Sequence, residues 1–368
     1  MDVKTAYSMK DSVEEIVSDI KEQLGGFSPA TIIFFASSYF DRDEISKKMQ
    51  DGFRKATVFG CSTAGELISG KMLKGSVVVM GLSSDLVEDL RVELLENIKQ
   101  GIDLKPALSS FESHFKTPVA AMDIEKYVGI ILIDGLSGAE ESIMDMIGNA
   151  MDITVIGGSA GDDLKFQSTH IYANGRSYSN AALIAILKLK KGFEVIKTQS
   201  FRTTDRKLMV TRANEQGREV IEFNNKPAAL AYAEAIGKTV LDSPNYFMRY
   251  PVGLIIDNEP YVRSPQRLNG KNMVFYCNIL EGMEVSVLES TDIVKDTGDA
   301  IKPYKNGSGP VSGMINFNCI LRTLELEKNG RTEDYGRLFS DIPTIGFSTY
   351  GEEYIGHINQ TSTILLFK

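Results

Sequence analysis

One short pattern recurs three times in this chain and constrains its fold more than any other feature. It runs Thr-Val-Phe-Gly-Cys-Ser-Thr-Ala-Gly-Glu from Thr57 to Glu66, Thr-Val-Ile-Gly-Gly-Ser-Ala-Gly-Asp from Thr154 to Asp162, and Thr-Ile-Gly-Phe-Ser-Thr-Tyr-Gly-Glu from Thr344 to Glu352. Each is a β-branched run, then Gly-x-Ser, a second Gly and a carboxylate. A β-branched run stopped by Gly predicts a strand entering a tight Gly-rich loop. Glycine there admits positive φ, or lets the backbone come close to a ligand.

The surroundings of the pattern also recur. A strand pattern at Thr31–Ala36, a helical one at Asp43–Phe53 with Ile45, Met49 and Phe53 on one face, and Thr57–Phe59 precede the first loop. Val128–Ile133, Ala139–Met151 and Ile153–Ile156 precede the second, and Met314–Phe317, Ile320–Glu327 and Pro343–Ile345 the third. From Thr31 to Gly60 is 29 residues, from Val128 to Gly157 is 29, and from Ile315 to Gly346 is 31. Equal spacing with the same loop chemistry predicts an internal repeat, with copies at about 31–97, 128–190 and 313–368. Ser76–Leu82, Ala181–Leu187 and Ser362–Phe367 are the closing strands. The second copy inserts a hairpin, Ser168–Ala173, turning at Asn174-Gly175.

Between the second and third copies the pattern changes. Lys207–Arg212 and Arg218–Phe223 alternate and form a hairpin. Lys226–Ile236 is an Ala-rich helix with Pro as its second residue. Pro251–Ile256, Pro260–Ser264, Asn272–Cys277 and Glu284–Glu289 are further strands, and Ser290–Ile301 is helical. Asn306–Pro310 is the most linker-like stretch. The fold class is therefore α/β, with mixed sheets built from three repeated β-α-β units and an inserted strand-rich segment. Two domains are expected, 1–225 (the first two copies) and 226–368 (the third).

Net charge is −9 and the pI about 5.1, which argues against nucleic acid or an anionic membrane as the main partner. Cys61, Cys277 and Cys319 are too few for a disulfide framework and fit a reducing cytoplasm. Met1–Gln23 is charged and helical in pattern and lacks the apolar region of a secretory signal. The apolar runs are strand-length and too short to span a bilayer.

The ordered set of motifs resembles a known family. Gly60–Glu66 and Gly157–Asp162 are similar to the signature loops of the N-terminal FIST domain (F-box and intracellular signal transduction). Pro251–Ile256, Tyr261–Arg263, Glu281-Gly282, Asn318–Arg322, Gly346–Glu352 and Asn359–Thr361 resemble its C-terminal partner domain. The resemblance runs from about Thr31 to the end. It implies a cytoplasmic sensory module that binds a small ligand, with amino acids as proposed ligands. It also implies an output through a histidine kinase, diguanylate cyclase or chemoreceptor. With no output domain in the sequence, that partner would be a separate protein. Some similar proteins bind haem and respond to nitric oxide. Here Ile358 directly precedes Asn359-Gln360-Thr361, where the family often has His, and His357 lies one residue earlier. In a strand this swaps the face of the side chain and counts against a haem-ligand role.

The chemistry of the three loops suits a zwitterion. Backbone N–H groups in Gly-rich turns bind anions. Cys61, Ser62, Thr63, Ser159, Ser348 and Thr349 sit at the loops, and the hydroxyls would add donors. Glu66, Asp162 and Glu352 could hold an ammonium group. Alternatively, each acid accepts backbone N–H bonds and locks its own turn. Arg263 and Arg322 could take a carboxylate bidentately or form surface ion pairs. Arg322, just after the strand end at Asn318-Cys319, lines the same rim as the loops. Cys61 and Cys319 read as buried thiols. A hydrolase using Cys61 or Ser62 would need a base, and His114, His170 and His357 form no catalytic pattern. No metal-ligand spacing occurs, and neither a dinucleotide fingerprint nor a P-loop is present. The reading is a cytoplasmic small-ligand sensor, for an amino acid or related metabolite, without a cofactor, with domain displacement as its signal. A haem-based nitric oxide sensor and a cysteine or serine hydrolase are the alternatives.

Overall fold

The computed structural model describes residues 2–306 and 311–368. Of the linker-like stretch Asn306–Pro310, residues 307–310 lie outside the described residues. The first elements are β1 (Val3–Ser8), α1 (Val13–Leu24), β2 (Thr31–Ser37), α2 (Arg42–Gly52), β3 (Thr57–Thr63), β4 (Glu66–Ile68), β5 (Lys71–Leu73), β6 (Val77–Leu82) and β7 (Val87–Glu96). Then come α3 (Lys105–Phe115), β8 (Tyr127–Ile133), α4 (Glu140–Ala150), β9 (Thr154–Ser159), β10 (Ile171–Ala173), β11 (Arg176–Tyr178), β12 (Ala181–Leu189) and β13 (Phe193–Gln199). The next stretch holds β14 (Phe201–Asn214), β15 (Glu219–Phe223), β16 (Lys226–Pro227), α5 (Ala228–Ile236), β17 (Val252–Ile256), β18 (Glu259–Arg263), β19 (Pro265–Asn269), β20 (Asn272–Phe275) and β21 (Glu284–Ser290). The last holds α6 (Ile293–Asn306), β22 (Gly313–Cys319), α7 (Ile320–Lys328), α8 (Thr332–Arg337), β23 (Thr344–Thr349), β24 (Glu352–Tyr354), β25 (His357–Ile358) and β26 (Thr361–Phe367). The class is mixed α/β, with eight α-helices among the described residues.

The chain divides into two compact units. One holds the residues up to Thr198, Gly298–His357 and Ser362–Lys368; the other holds Gln199–Thr297 and Ile358–Thr361. These units divide at other positions than the sequence boundary at 225/226. The third strand–helix–strand segment falls in the same unit as the first two.

In that first unit three parallel strand pairs are each joined by helix: β2 with β3, β8 with β9, and β22 with β23. Each first strand also takes an antiparallel closing strand, β6, β12 and β26 respectively. All residues of β2, β8 and β22 are buried, as expected for strands covered on both faces. The short strand after each unit joins a different unit. β4, after β3, pairs with β23; β24, after β23, pairs with β9; β10, after β9, pairs with β3. The exchange closes a ring, and one core runs through all three sheets, including Phe35, Phe59, Ile130, Ile156, Phe317 and Phe347.

The recurrent first glycine lies within a strand, not in a loop. Gly60, Gly157 and Gly346 face Phe34, Ile131 and Asn316 in register, and none takes positive φ. A Cβ would sit 1.7 Å from the Phe34 carbonyl oxygen, 1.7 Å from that of Ile131 and 2.2 Å from that of Asn316. What comes close to these glycines is the neighbouring strand, and the ligand explanation for them is corrected accordingly. The incoming strand places Tyr172, Glu353 and Leu67 opposite the same three glycines. Of the second glycines, Gly65 does take positive φ, at 123°.

The N-terminal reading also needs correction. Val3–Ser8 is a strand paired with β6, and the helix begins at Val13. Ser12 caps it, accepting from Glu15 N and donating to the Glu15 carboxylate at 2.7 Å. Val13, Ile16, Val17, Ile20 and Leu24 form its buried stripe.

The second unit carries one eight-stranded antiparallel sheet, ordered β18-β17-β21-β14-β15-β20-β19 with β16 on β15. Its core packs Tyr232 of α5 with Phe223, Met273, Phe275 and Val285. Lys226-Pro227 pairs with β15 instead of opening the helix, which starts at Ala228.

Candidate functional site

The ends of the three parallel pairs meet. Gly161 N donates to Ser62 O at 3.0 Å, Ser348 N to Gly65 O at 2.8 Å, and Tyr350 N to Ser159 O at 3.1 Å. Each strand end is therefore bonded to the other two, as strand exchange requires.

At this junction each recurrent acid is buried and closes its own turn. Glu66 accepts from Thr63 Oγ1, and from Ser76 N at 3.0 Å and Ser76 Oγ at 2.7 Å. Burial pushes its carboxyl up to about 7, against the pull of those hydrogen bonds. Asp162 accepts from Phe166 N, Gln167 N and Ser168 N at 2.9, 2.6 and 3.0 Å, and from Tyr350 OH at 2.5 Å. Glu352 accepts from Thr349 Oγ1 at 2.5 Å. Asp162 accepts backbone N–H groups of its own turn, whereas the Thr63–Glu66 and Thr349–Glu352 pairs repeat a hydroxyl–carboxylate bond at the same spacing.

Cys61 is fully buried in the shared core, and burial pushes its thiol up, away from a nucleophilic thiolate. Cys319 is buried at the end of β22. Ser62 Oγ donates to Gly161 O at 2.8 Å and accepts from His170 N at 2.9 Å, so backbone groups occupy it. Among the described residues no group of three or more His, Cys, Asp or Glu could hold a metal ion, and no helix is long and apolar enough to cross a membrane.

A polar network follows the end of β22. Arg322, on the first turn of α7, is 2% exposed. Its Nε donates to Asn318 Oδ1 at 3.0 Å, and its guanidinium lies 5.8 Å from the Tyr335 ring centre. Tyr335 OH donates to the same Asn318 oxygen at 3.0 Å, and Asn318 Nδ2 donates to Thr323 Oγ1 at 3.0 Å. Thr323 Oγ1 meets Ser348 Oγ at 2.8 Å, which ties the network to the third strand end. The other predicted arginine, Arg263, ends β18 in the second unit, where Nη1 donates to Val262 O at 3.2 Å.

Beside the second strand end, Ser159 Oγ donates to Glu353 Oε1 at 3.1 Å, and His357 Nδ1 meets the same oxygen at 2.9 Å. The His357 ring edge packs on Gly351. A Cβ there would fall 2.0 Å from Cε1 and 2.9 Å from Nε2.

Sequence reasoning missed Asn316, Thr323, Tyr335 and Ser362, which complete the Arg322 network, and Tyr350. The available signal was polar residues at inward strand positions, as in Asn316 and Asn318 on a wholly buried strand.

Residues 30–226 match the FIST N domain and residues 228–354 the FIST C domain. The chain is also 25% identical over 350 residues to an uncharacterized protein of Methanocaldococcus jannaschii, covering 89% of this chain and 66% of that one. FIST domains are associated with sensory signal transduction. With both domains matched in order across most of its length, this chain belongs to the FIST family.

Proposed function

We propose that this protein is a cytoplasmic ligand-binding sensor for an amino acid or a related small carboxylate, signalling to a separate partner such as a histidine kinase, diguanylate cyclase or chemoreceptor. The observation that carries the reading is Arg322. A buried guanidinium is costly to place and is kept by close polar company, and its planar fork matches a carboxylate. Here it stands among the hydroxyls of Thr323, Ser348 and Tyr335 and the amide of Asn318, held by Nε. A fixed cation with hydroxyl and amide donors beside it favours a ligand carboxylate. We read the three strand–helix–strand segments as copies of one unit whose ends build this junction, and we keep 1–225 and 226–368 as the two family domains.

A thermal-shift panel of all amino acids tests the reading. At least one should raise the melting temperature of the wild type and leave Arg322→Gln unshifted. No shift with any amino acid would count against the ligand class.

A further inference from the structure

The hairpin of β24 and β25 turns at Tyr354-Ile355-Gly356. Ile355 stands there with φ 58° and 73% of its surface exposed. A β-branched residue in left-handed conformation is strained, and such strain persists at functional sites. Ile355 and Tyr354 form one wall of a cleft of about 290 Å³, and the C-terminal half of α4 with the start of β9 forms the other. The floor is apolar, with Met144, Ile147 and Met151 buried beneath it. Gly148 leaves the helix wall bare, since a Cβ there would meet nothing within 4 Å.

The exposed charge at the cleft is acidic. Residues 140–155 include Glu140, Glu141, Asp145 and Asp152 and neither lysine nor arginine, while residues 350–358 hold only the buried Glu352, Glu353 and His357, of which the last two pair with each other. Asp152, just past the end of α4, lines the cleft, and Asp145 lies one turn before Gly148 on the same side of α4. A methionine-rich floor adapts to varied apolar side chains. An acidic rim selects a basic neighbour.

We propose that this cleft docks an amphipathic helix of a partner protein. The apolar face of that helix lies on the Met144–Met151 floor and against Ile355, and its lysines or arginines face Asp145 and Asp152. The site is independent of the amino-acid reading, because it concerns where a partner sits and not which ligand binds.

The test uses the full chain and a labelled synthetic helical peptide with leucine at i, i+3, i+4 and i+7 and lysine on both flanks, followed by fluorescence anisotropy. Gly148→Trp places a bulky ring at the cleft from a position where an added Cβ meets nothing within 4 Å. Ile355→Gly relieves the strained φ while removing the apolar wall. Both variants should fold and weaken the peptide by at least about tenfold, and added salt should weaken it in the wild type. A peptide with glutamate in place of lysine should not bind. Absence of binding, or equal binding to Gly148→Trp, would overturn the proposal. So would an anilinonaphthalene sulfonate signal that Gly148→Trp abolishes while the peptide fails to bind, which assigns the cleft to a small apolar ligand. Self-association in sedimentation that Gly148→Trp abolishes would assign it to a second copy and overturn the proposal equally.

Discussion

His357 Nδ1 lies 2.9 Å from Glu353 Oε1, and the two side chains are 2% and 0% exposed. Burial alone would lower the imidazole pKa. The Glu353 carboxylate, with Glu140 and Glu141 behind it, overcomes this and pushes it up to about 9. Burial raises the Glu353 carboxyl while the imidazolium pulls it back down. Each side chain therefore favours the charged form of the other.

That pair makes stability depend on pH. A histidine whose folded pKa exceeds its unfolded one, near 6.5, contributes fully below that value and loses the contribution as pH rises through about 9. The gap corresponds to roughly 3 kcal/mol. Urea melts of the wild type should lose that stability between pH 6.5 and 9. His357→Gln should lose most of that slope, the part remaining near pH 7 belonging to Glu66, and should be less stable at pH 7 by about 3 kcal/mol because Glu353 loses its partner.

Glu66 adds an earlier window. Its folded carboxyl titrates near 7 against an ordinary 4.5, so its stabilising effect is whole below 4.5 and is lost as pH rises through 7. The wild type should be more stable at pH 5 than at pH 7. Glu66→Gln should lack that slope, whatever its absolute stability, and a persisting slope would assign the titration to another group.

The register glycines should behave unlike other glycines. Gly60→Ala drives a Cβ into the Phe34 carbonyl oxygen and should cost at least about 3 kcal/mol, the upper range for overpacking. Gly148→Ala meets open space within α4 and should gain about 0.5–1 kcal/mol in helix propensity. Denaturant midpoints of the two variants measure the contrast.

All three cysteines are buried and none forms a disulfide. Ellman's reagent should therefore leave the native protein unmodified and titrate Cys61, Cys277 and Cys319 together once the protein is denatured. Fast native modification of Cys61 alone would restore the hydrolase reading.

The strand–helix–strand segments were legible because each has a continuous apolar strand, a helical stripe and a glycine stop. The place where the glycines act was not. Phe34, Ile131 and Asn316 carry no mark of the carbonyl that crowds the next strand. The ring of exchanged strands was also hidden, because three-residue strands such as Glu66–Ile68 have no periodicity of their own. β1 was misread because its polar alternation adjoins a strong helix pattern. At the candidate site, Arg322 was visible through its place after Asn318-Cys319. Tyr335 and Ser362 were not, since they reach the network from separate elements.

Isothermal titration of the wild type with free amino acids and their α-amides bears most directly on the central claim. The account predicts saturable heat for at least one free amino acid and at least about tenfold weaker binding of its amide, which lacks the carboxylate that Arg322 would hold. No heat for any amino acid, or equal affinity for acid and amide, would contradict it.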